Sequence, residues 1–155
     1  MSAKPGRGGG WVAAQFALLA VIVVALFAGP RWPEGARAAL AVAGALLVVA
    51  GAAVAVWAAR SLGRALTPFP RPVHDAALVE TGPFGVVRHP IYAGGLLFVG
   101  GWALIGGPAA LALTAVLGVL WAFKARVEEG YLSARYPDYA DYASRVRYRL
   151  VPRVY

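Results

Sequence analysis

The chain of 155 residues contains no cysteine. That excludes disulfides, thiolate metal sites and a cysteine nucleophile. Histidine is nearly as scarce, with His74 and His89 far apart in sequence, so a histidine-based metal centre is not expected. Charge is sparse as well. Only 14% of residues are charged and 60% are hydrophobic, where a soluble domain carries roughly a quarter charged. Most of this chain must therefore face something other than water. The charge present is one-sided, with 15 Lys and Arg against 7 Asp and Glu. Such an excess invites a nucleic-acid reading, but these residues flank apolar runs instead of forming a stripe. That is the arrangement of orientation signals and contacts to anionic headgroups, so no nucleic-acid partner is expected.

What the chain has in abundance is hydrocarbon. The first apolar run, residues 11–28, is preceded by Lys4 and Arg7 and ended by Gly29-Pro30. It has the basic start of a signal peptide. It also just reaches spanning length and has no convincing cleavage site, so it reads as a retained helix. The second run, 38–59, carries no charge, and Trp57 and Arg60 sit at its end as an interfacial pair. Gly44 and Gly51 share one of its faces, which permits close packing against a neighbour. The third and fourth runs, 91–105 and 109–123, flank Gly106-Gly107-Pro108, a strong turn signal. Both are short for a full crossing, which leaves a spanning pair and a tight hairpin open.

The expectation is one all-α integral membrane domain over 1–155, with about four transmembrane helices, the last two a tight helical hairpin. A polar loop, 60–90, precedes the third helix, and its alternating prolines at 68, 70 and 72 forbid regular helix. A C-terminal helical segment, 124–155, follows, with Lys124 and Glu128 at pairing distance along a helix and tyrosines interleaved with arginines. Four crossings put Arg31 and Arg37 outside and every other Lys and Arg inside. Both termini, the loop and the tail are thus expected to be cytoplasmic.

Two polar clusters stand out. Arg88-His89-Pro90-x-Tyr92 opens the third helix, and Pro90 suits its first position. His89 then sits near the cap, where free backbone donors favour an anion. Arg88 can clamp a carboxylate, while Phe84 and Tyr92 offer aromatic surface to a flat or cationic group. The plainer alternative is an interfacial anchor. The second cluster is Glu128-Glu129, just past the fourth run. Adjacent carboxylates on a helix point about 100° apart. One can face inward toward a hydroxyl, ammonium or sulfonium while the other meets solvent or an arginine.

The order of these parts resembles one family. The chain has Gly82-Pro83-Phe84, then Arg88-His89-Pro90-Ile91-Tyr92-Ala93-Gly94, a short hairpin, Glu128-Glu129-x-x-Leu132, and Tyr139-x-x-Tyr142-x-x-Arg145. It is similar to the isoprenylcysteine carboxyl methyltransferases and their relatives, the membrane phospholipid methyltransferases. The resemblance covers roughly residues 67–152. It implies a small helical membrane bundle that binds S-adenosylmethionine at the cytosolic face, with no metal. By that resemblance Ala77, Leu78, Val79 and Phe84 would line the cofactor, with Arg88, His89, Pro90, Ile91, Tyr92, Glu128 and Glu129. Arg126, or Lys124 beside it, would lie toward the substrate's reacting group, Arg126 being the catalytic candidate. The acceptor would be lipophilic or amphiphilic: a prenylcysteine carboxylate, a phospholipid amine or similar. A bacterial inner membrane is the expected location, with membrane lipids as surroundings and no obligate protein partner. Phe84 stands where tyrosine is more usual, and Tyr136-Pro137 where Phe-Gly is common. The competing classes are a non-enzymatic membrane scaffold or small transporter and an NADPH-dependent reductase of the sterol type.

Overall fold

The computed structural model describes residues 8–152 and 154, and these contain helices but no strands. Lys4, Arg7 and Arg153, used above for orientation, lie outside the described residues. The helices are α1 (Gly9–Ala28), α2 (Glu34–Leu62), α3 (Pro90–Gly106), α4 (Pro108–Arg135) and α5 (Tyr139–Arg145), with 3-10 turns at Gly63–Ala65 and Gly82–Gly85. Gly9–Ala28, Glu34–Ala65 and Pro108–Arg135 are long and apolar enough to cross a membrane. At 17 residues α3 falls short of that length. It spans roughly 26 Å at 1.5 Å per residue, against a hydrocarbon core of roughly 30 Å.

The fourth apolar run and the helical start of the segment after it form one helix, which continues unbroken to Arg135. No proline interrupts it before Pro137, so nothing removes a backbone donor or forces the chain out of helix. Trp121 and, in the continuation, Lys124, Glu128 and Leu132 lie along one stripe, joining the apolar bundle to the polar end.

Gly107 alone separates α3 from α4, which makes the expected hairpin tight. The closest helix packing, however, is between α2 and α3. A Cβ built on Gly44 would meet the Gly101 carbonyl at 2.5 Å, and one on Gly94 would meet the Ala55 nitrogen at 2.6 Å. A Cβ on Gly51 would strike the Phe98 backbone and the Gly94 carbonyl. The two helices therefore run antiparallel with backbones in contact, as small residues allow in lipid. Replacing Gly51 by leucine is expected to separate this pair and destabilise the protein by at least about 1–3 kcal/mol. Thermal unfolding in detergent checks it, with exposed Val49→Leu as the silent control.

Helix α1 lies along α4, where Ile22, Leu117 and Trp121 form the buried core. At the far end the α1–α2 connection closes α3. Trp32 Nε1 donates to the Leu104 carbonyl at 2.8 Å and Arg31 to the Gly106 carbonyl at 3.3 Å. These are carbonyls a helix C-terminus would otherwise leave unpaired. The opposite end holds the loop after α2, the start of α3, the extension of α4 and α5.

Candidate active site

Pro90 occupies the first position of α3 and His89 its cap, with the backbone at φ −126° and ψ 62°. The segment just before the helix is held by the tail doubling back. Arg88 N–H donates to the Tyr148 carbonyl at 2.9 Å and His89 N–H to the Arg149 carbonyl at 2.8 Å. His89 is thereby fixed, and it is buried. Its ring stacks on Tyr92 at 5.6 Å and 10°, and Tyr92 stacks on Trp121 at 5.4 Å and 24°. Gly95, one turn along from Tyr92, makes room for this column, since a Cβ there would meet the Trp121 ring at 2.8 Å.

The two glutamates face different partners, as the helical offset requires. Glu129 turns to the tail. Its oxygens accept from Arg88 Nε at 2.8 Å and Arg149 Nε at 2.9 Å, and Oε1 lies 3.3 Å from His89 Nε2. Glu128 turns to the aromatic column. Its Oε2 accepts the Tyr92 hydroxyl at 2.8 Å and lies 3.9 Å from His89 Nδ1. The His89 imidazole thus sits between both carboxylates. Arg88, in turn, is engaged within the protein: besides Glu129, it donates to the carbonyls of Val146 at 2.7 Å and Arg147 at 3.0 Å.

Lys124 is buried, and its Nζ donates to Gln15 Oε1 at 2.7 Å and the Pro68 carbonyl at 2.8 Å. It takes these partners in place of the i, i+4 pair with Glu128. The Nζ also lies 5.4 Å from the Tyr92 ring centroid. Gln15 binds a second donor, Trp121 Nε1 at 3.0 Å, so one α1 amide holds two α4 side chains. Sequence reasoning passed over Gln15, although it is the one amide within an otherwise apolar α1 run, a polar group that needs a partner in hydrocarbon.

These groups surround a cavity of about 440 Å³. Among the residues singled out from sequence, Ala77, Leu78, Val79, Phe84, Arg88, His89, Ile91, Tyr92 and Glu128 line it, as does Lys124. Pro90, Glu129 and Arg126 do not border it. Pro90 is buried in the first turn of α3, Glu129 faces the tail, and Arg126 is exposed with its guanidinium 5.6 Å from the Phe123 ring centroid. The structure adds Gln15, Trp121, Tyr136, Tyr139 and Tyr142 to the lining.

The loop wall is tied down by the tail. The Tyr136 hydroxyl donates to the Ala76 carbonyl at 2.6 Å, the Tyr142 hydroxyl to the Phe84 carbonyl at 2.8 Å, and Arg145 to Glu80 at 2.7 Å. Burial pushes the Tyr142 phenol up to about 12, so it stays a donor at any ordinary pH. Phe84 therefore contributes its carbonyl to the wall's architecture as well as its ring, and that carbonyl contact does not depend on which aromatic stands there. The cavity combines a carboxylate and an aromatic column with apolar lining from Ala55 and Leu62 of α2 and from Leu66 beyond it.

Comparison with known proteins gives the family-level reading. The profile described as phospholipid methyltransferase matches residues 39–139, well over half of the chain. The cobalt-zinc-cadmium resistance protein CzcN of Cupriavidus metallidurans is 36% identical over 72 residues, covering 44% of this chain and 32% of that protein. The nickel-cobalt-cadmium resistance protein NccN of Alcaligenes xylosoxydans xylosoxydans is 31% identical over 135 residues, 83% of this chain and 58% of that protein. The chain thus spans from a third to somewhat over half the length of these relatives.

Proposed function

The chain belongs to the phospholipid methyltransferase family, and from that premise we propose that it is an integral membrane methyltransferase using S-adenosylmethionine to methylate a lipophilic or amphiphilic acceptor. The observation that carries this reading is that Glu128 and the His89–Tyr92–Trp121 column share one cavity at the polar end of an apolar bundle. The residues suit the donor. The cavity falls within the 300–1,000 Å³ or so typical of small-molecule sites. Glu128 offers a carboxylate to a hydroxyl or an ammonium, and the aromatic faces suit an adenine ring or a sulfonium. When bound, the donor supplies a methyl carbon made electrophilic by the neighbouring sulfonium.

The chain's own residues would then bind, orient and exclude water. Ile91 and Tyr92 lie in the first turn of α3, whose backbone N–H groups have no intrahelical acceptor and favour an anionic group. The tail bonds at Ala76, Phe84 and Glu80 hold the loop wall of the cavity in place. Methyl transfer is an in-line displacement, so alignment and desolvation can supply most of its acceleration without a strong base. The apolar lining from Ala55, Leu62 and Leu66 suits the hydrocarbon part of an acceptor. Four crossings with this end cytoplasmic remain the orientation that best fits the basic residues.

Titrating purified full-length protein in detergent with S-adenosylmethionine tests the reading, with His89→Ala and Glu128→Ala as weakened controls. No binding by a folded wild type would overturn it. Labelled methyl transfer to extracted lipids and prenylcysteine analogues then identifies the acceptor class. Lys124→Met separates the two halves of the site. The change strands the Pro68 carbonyl and leaves Gln15 with Trp121 alone, so the melting temperature should fall. We expect near-normal donor affinity in the folded variant, with methyl transfer falling by about tenfold, the scale of one lost hydrogen-bonding group.

A further inference from the structure

Gln15 carries the one side-chain amide in the chain. It stands on α1, outside residues 39–139 that match the family profile, so its role has to be read from its surroundings. The amide oxygen is fully used. Trp121 Nε1 and Lys124 Nζ both donate to Oε1, at 3.0 and 2.7 Å, and both are groups that only donate. The oxygen must therefore face them, which turns the NH2 end away.

That NH2 holds two donors, and no acceptor among the described residues takes either. Nor is it closed off. Among the described residues, the Tyr139 hydroxyl is the one buried side-chain polar atom both shut away and without a partner. The Gln15 nitrogen thus keeps accessible surface, and its side chain borders the cavity.

The charge behind the amide has only neutral partners. Lys124 is 1% exposed, and its Nζ is held by Gln15 Oε1 and the Pro68 carbonyl. Glu128, one turn further along α4, accepts from Tyr92 instead. An ammonium buried among neutral groups favours an anion nearby and repels a second cation. By bonding Oε1 it also polarises the amide, which makes the NH2 a stronger donor.

We propose that Gln15 is a specificity-determining residue: its NH2 group, backed by Lys124, takes an anionic oxygen, carboxylate or phosphate, on the head of the methyl acceptor. This rests on the methyltransferase reading above. The acceptor is assigned, and not the methyl donor, because Lys124 repels a sulfonium. The donor's own carboxylate also has the unpaired N–H groups at the start of α3. Position agrees. Lys124 lies four residues, roughly 6 Å, nearer the apolar bundle than Glu128 along α4. Leu62 and Leu66 of the same cavity suit a hydrocarbon tail behind such a head.

The test uses the full-length protein in neutral detergent, saturated with S-adenosylhomocysteine. Four probes with one tail are titrated calorimetrically: dodecanoate, dodecyl phosphate, dodecanol and dodecylammonium, with empty micelles as the blank. At least one anion is expected to bind about tenfold or more tightly than the alcohol and the ammonium, the scale of one charge-assisted bond. The better of the two anions identifies the head as carboxylate or phosphate. Gln15→Glu should abolish this preference. It keeps an oxygen for Trp121 and Lys124, but replaces the NH2 by a second carboxylate oxygen and neutralises the ammonium. For the same reason its melting temperature should not fall, and its affinity for S-adenosylhomocysteine should be unchanged. Equal affinities for all four probes in the wild type would overturn the inference and leave the methyl-donor reading standing, whether or not the variant folds. An anion preference that survives in folded Gln15→Glu would do the same. A loss of S-adenosylhomocysteine affinity in that variant would also overturn it, since the amide would then belong with the donor. A folded wild type that binds no S-adenosylhomocysteine would overturn the methyl-donor reading and this inference together.

Discussion

Replacing Glu129 by alanine is expected to release the whole C-terminal cap from the helical bundle. Two guanidiniums, Arg88 and Arg149, share this carboxylate, and the Arg88 side chain is only 8% exposed. Removing one partner of a buried ion pair leaves the other charge uncompensated, at a cost of about 3–5 kcal/mol. That loss is comparable to much of a typical domain's net stability. It falls locally, because Arg88 also holds the carbonyls of Val146 and Arg147, and the tail is what pins the residues before α3. The apolar contacts of α2 with α3 and of α1 with α4 do not involve Glu129. Helix content should therefore largely survive while the segment after Arg135 becomes protease-sensitive, a local opening of the kind low-stability units show. Limited proteolysis with circular dichroism in detergent reads both. Unchanged protease sensitivity and an unchanged melting temperature would sink the idea. The double variant Arg88→Met with Glu129→Leu should recover only part of the loss: the buried Arg88 charge goes with its partner, but Arg149 loses its carboxylate and the Val146 and Arg147 carbonyls lose a donor.

The contrast between Arg88 and Glu128 shows what was legible in the sequence. Their residue types and spacing marked both as site residues, and both do border the cavity. The sequence could also place Pro90 and His89 at the head of a helix, and could offset two adjacent glutamates by a third of a turn. It could not tell which arginine would meet which carboxylate. The partners of Arg88 lie 41 residues away on α4 and 58 and 59 residues away on a tail that folds back by backbone pairing with no signature of its own. Lys124 is the same lesson at short range. Its i, i+4 neighbour Glu128 was the local expectation, but burial gives more weight to a fully satisfied ammonium. Gln15 and the Pro68 carbonyl provide that from elements 109 and 56 residues distant.

Helix boundaries divide in the same way. Pro30, Pro33, Pro90 and Pro108 mark the breaks because proline acts locally. The apolar run ends near residue 123 while the helical pattern of Glu128, Leu132 and Arg135 runs on, and α4 joins the two without a break to Arg135. Glycine positions were readable as a face but not as a partner. That Gly51 meets Gly94 and Phe98, in place of a second copy or another helix, is tertiary information.

Glu128→Gln is expected to be the most damaging conservative change for ligand binding. The substitution preserves size and leaves a carbonyl oxygen to accept from Tyr92. It removes the charge and turns the second oxygen into an NH2 donor. If Glu128 receives a hydroxyl or ammonium of the methyl donor, the lost charge-assisted bond corresponds to about 1.5–3 kcal/mol. That is roughly a 10- to 150-fold increase in the dissociation constant for S-adenosylmethionine. Unlike Glu129, Glu128 makes no ion pair with an arginine or lysine within 4 Å among the described residues, and His89 Nδ1 lies 3.9 Å from it. Neutralising it should change the melting temperature little, since a desolvated charge disappears while Lys124 keeps Gln15 and the Pro68 carbonyl. Tyr92→Phe is the discriminating comparison. It deletes the hydroxyl that orients the carboxylate but keeps the charge and the stacking with His89 and Trp121, so its effect on affinity should be only a few-fold. Equal losses from Glu128→Gln and Tyr92→Phe would assign Glu128 to supporting the tyrosine, not to meeting the ligand. A large loss for the first alone, with stability intact, is the outcome that a ligand-binding carboxylate requires.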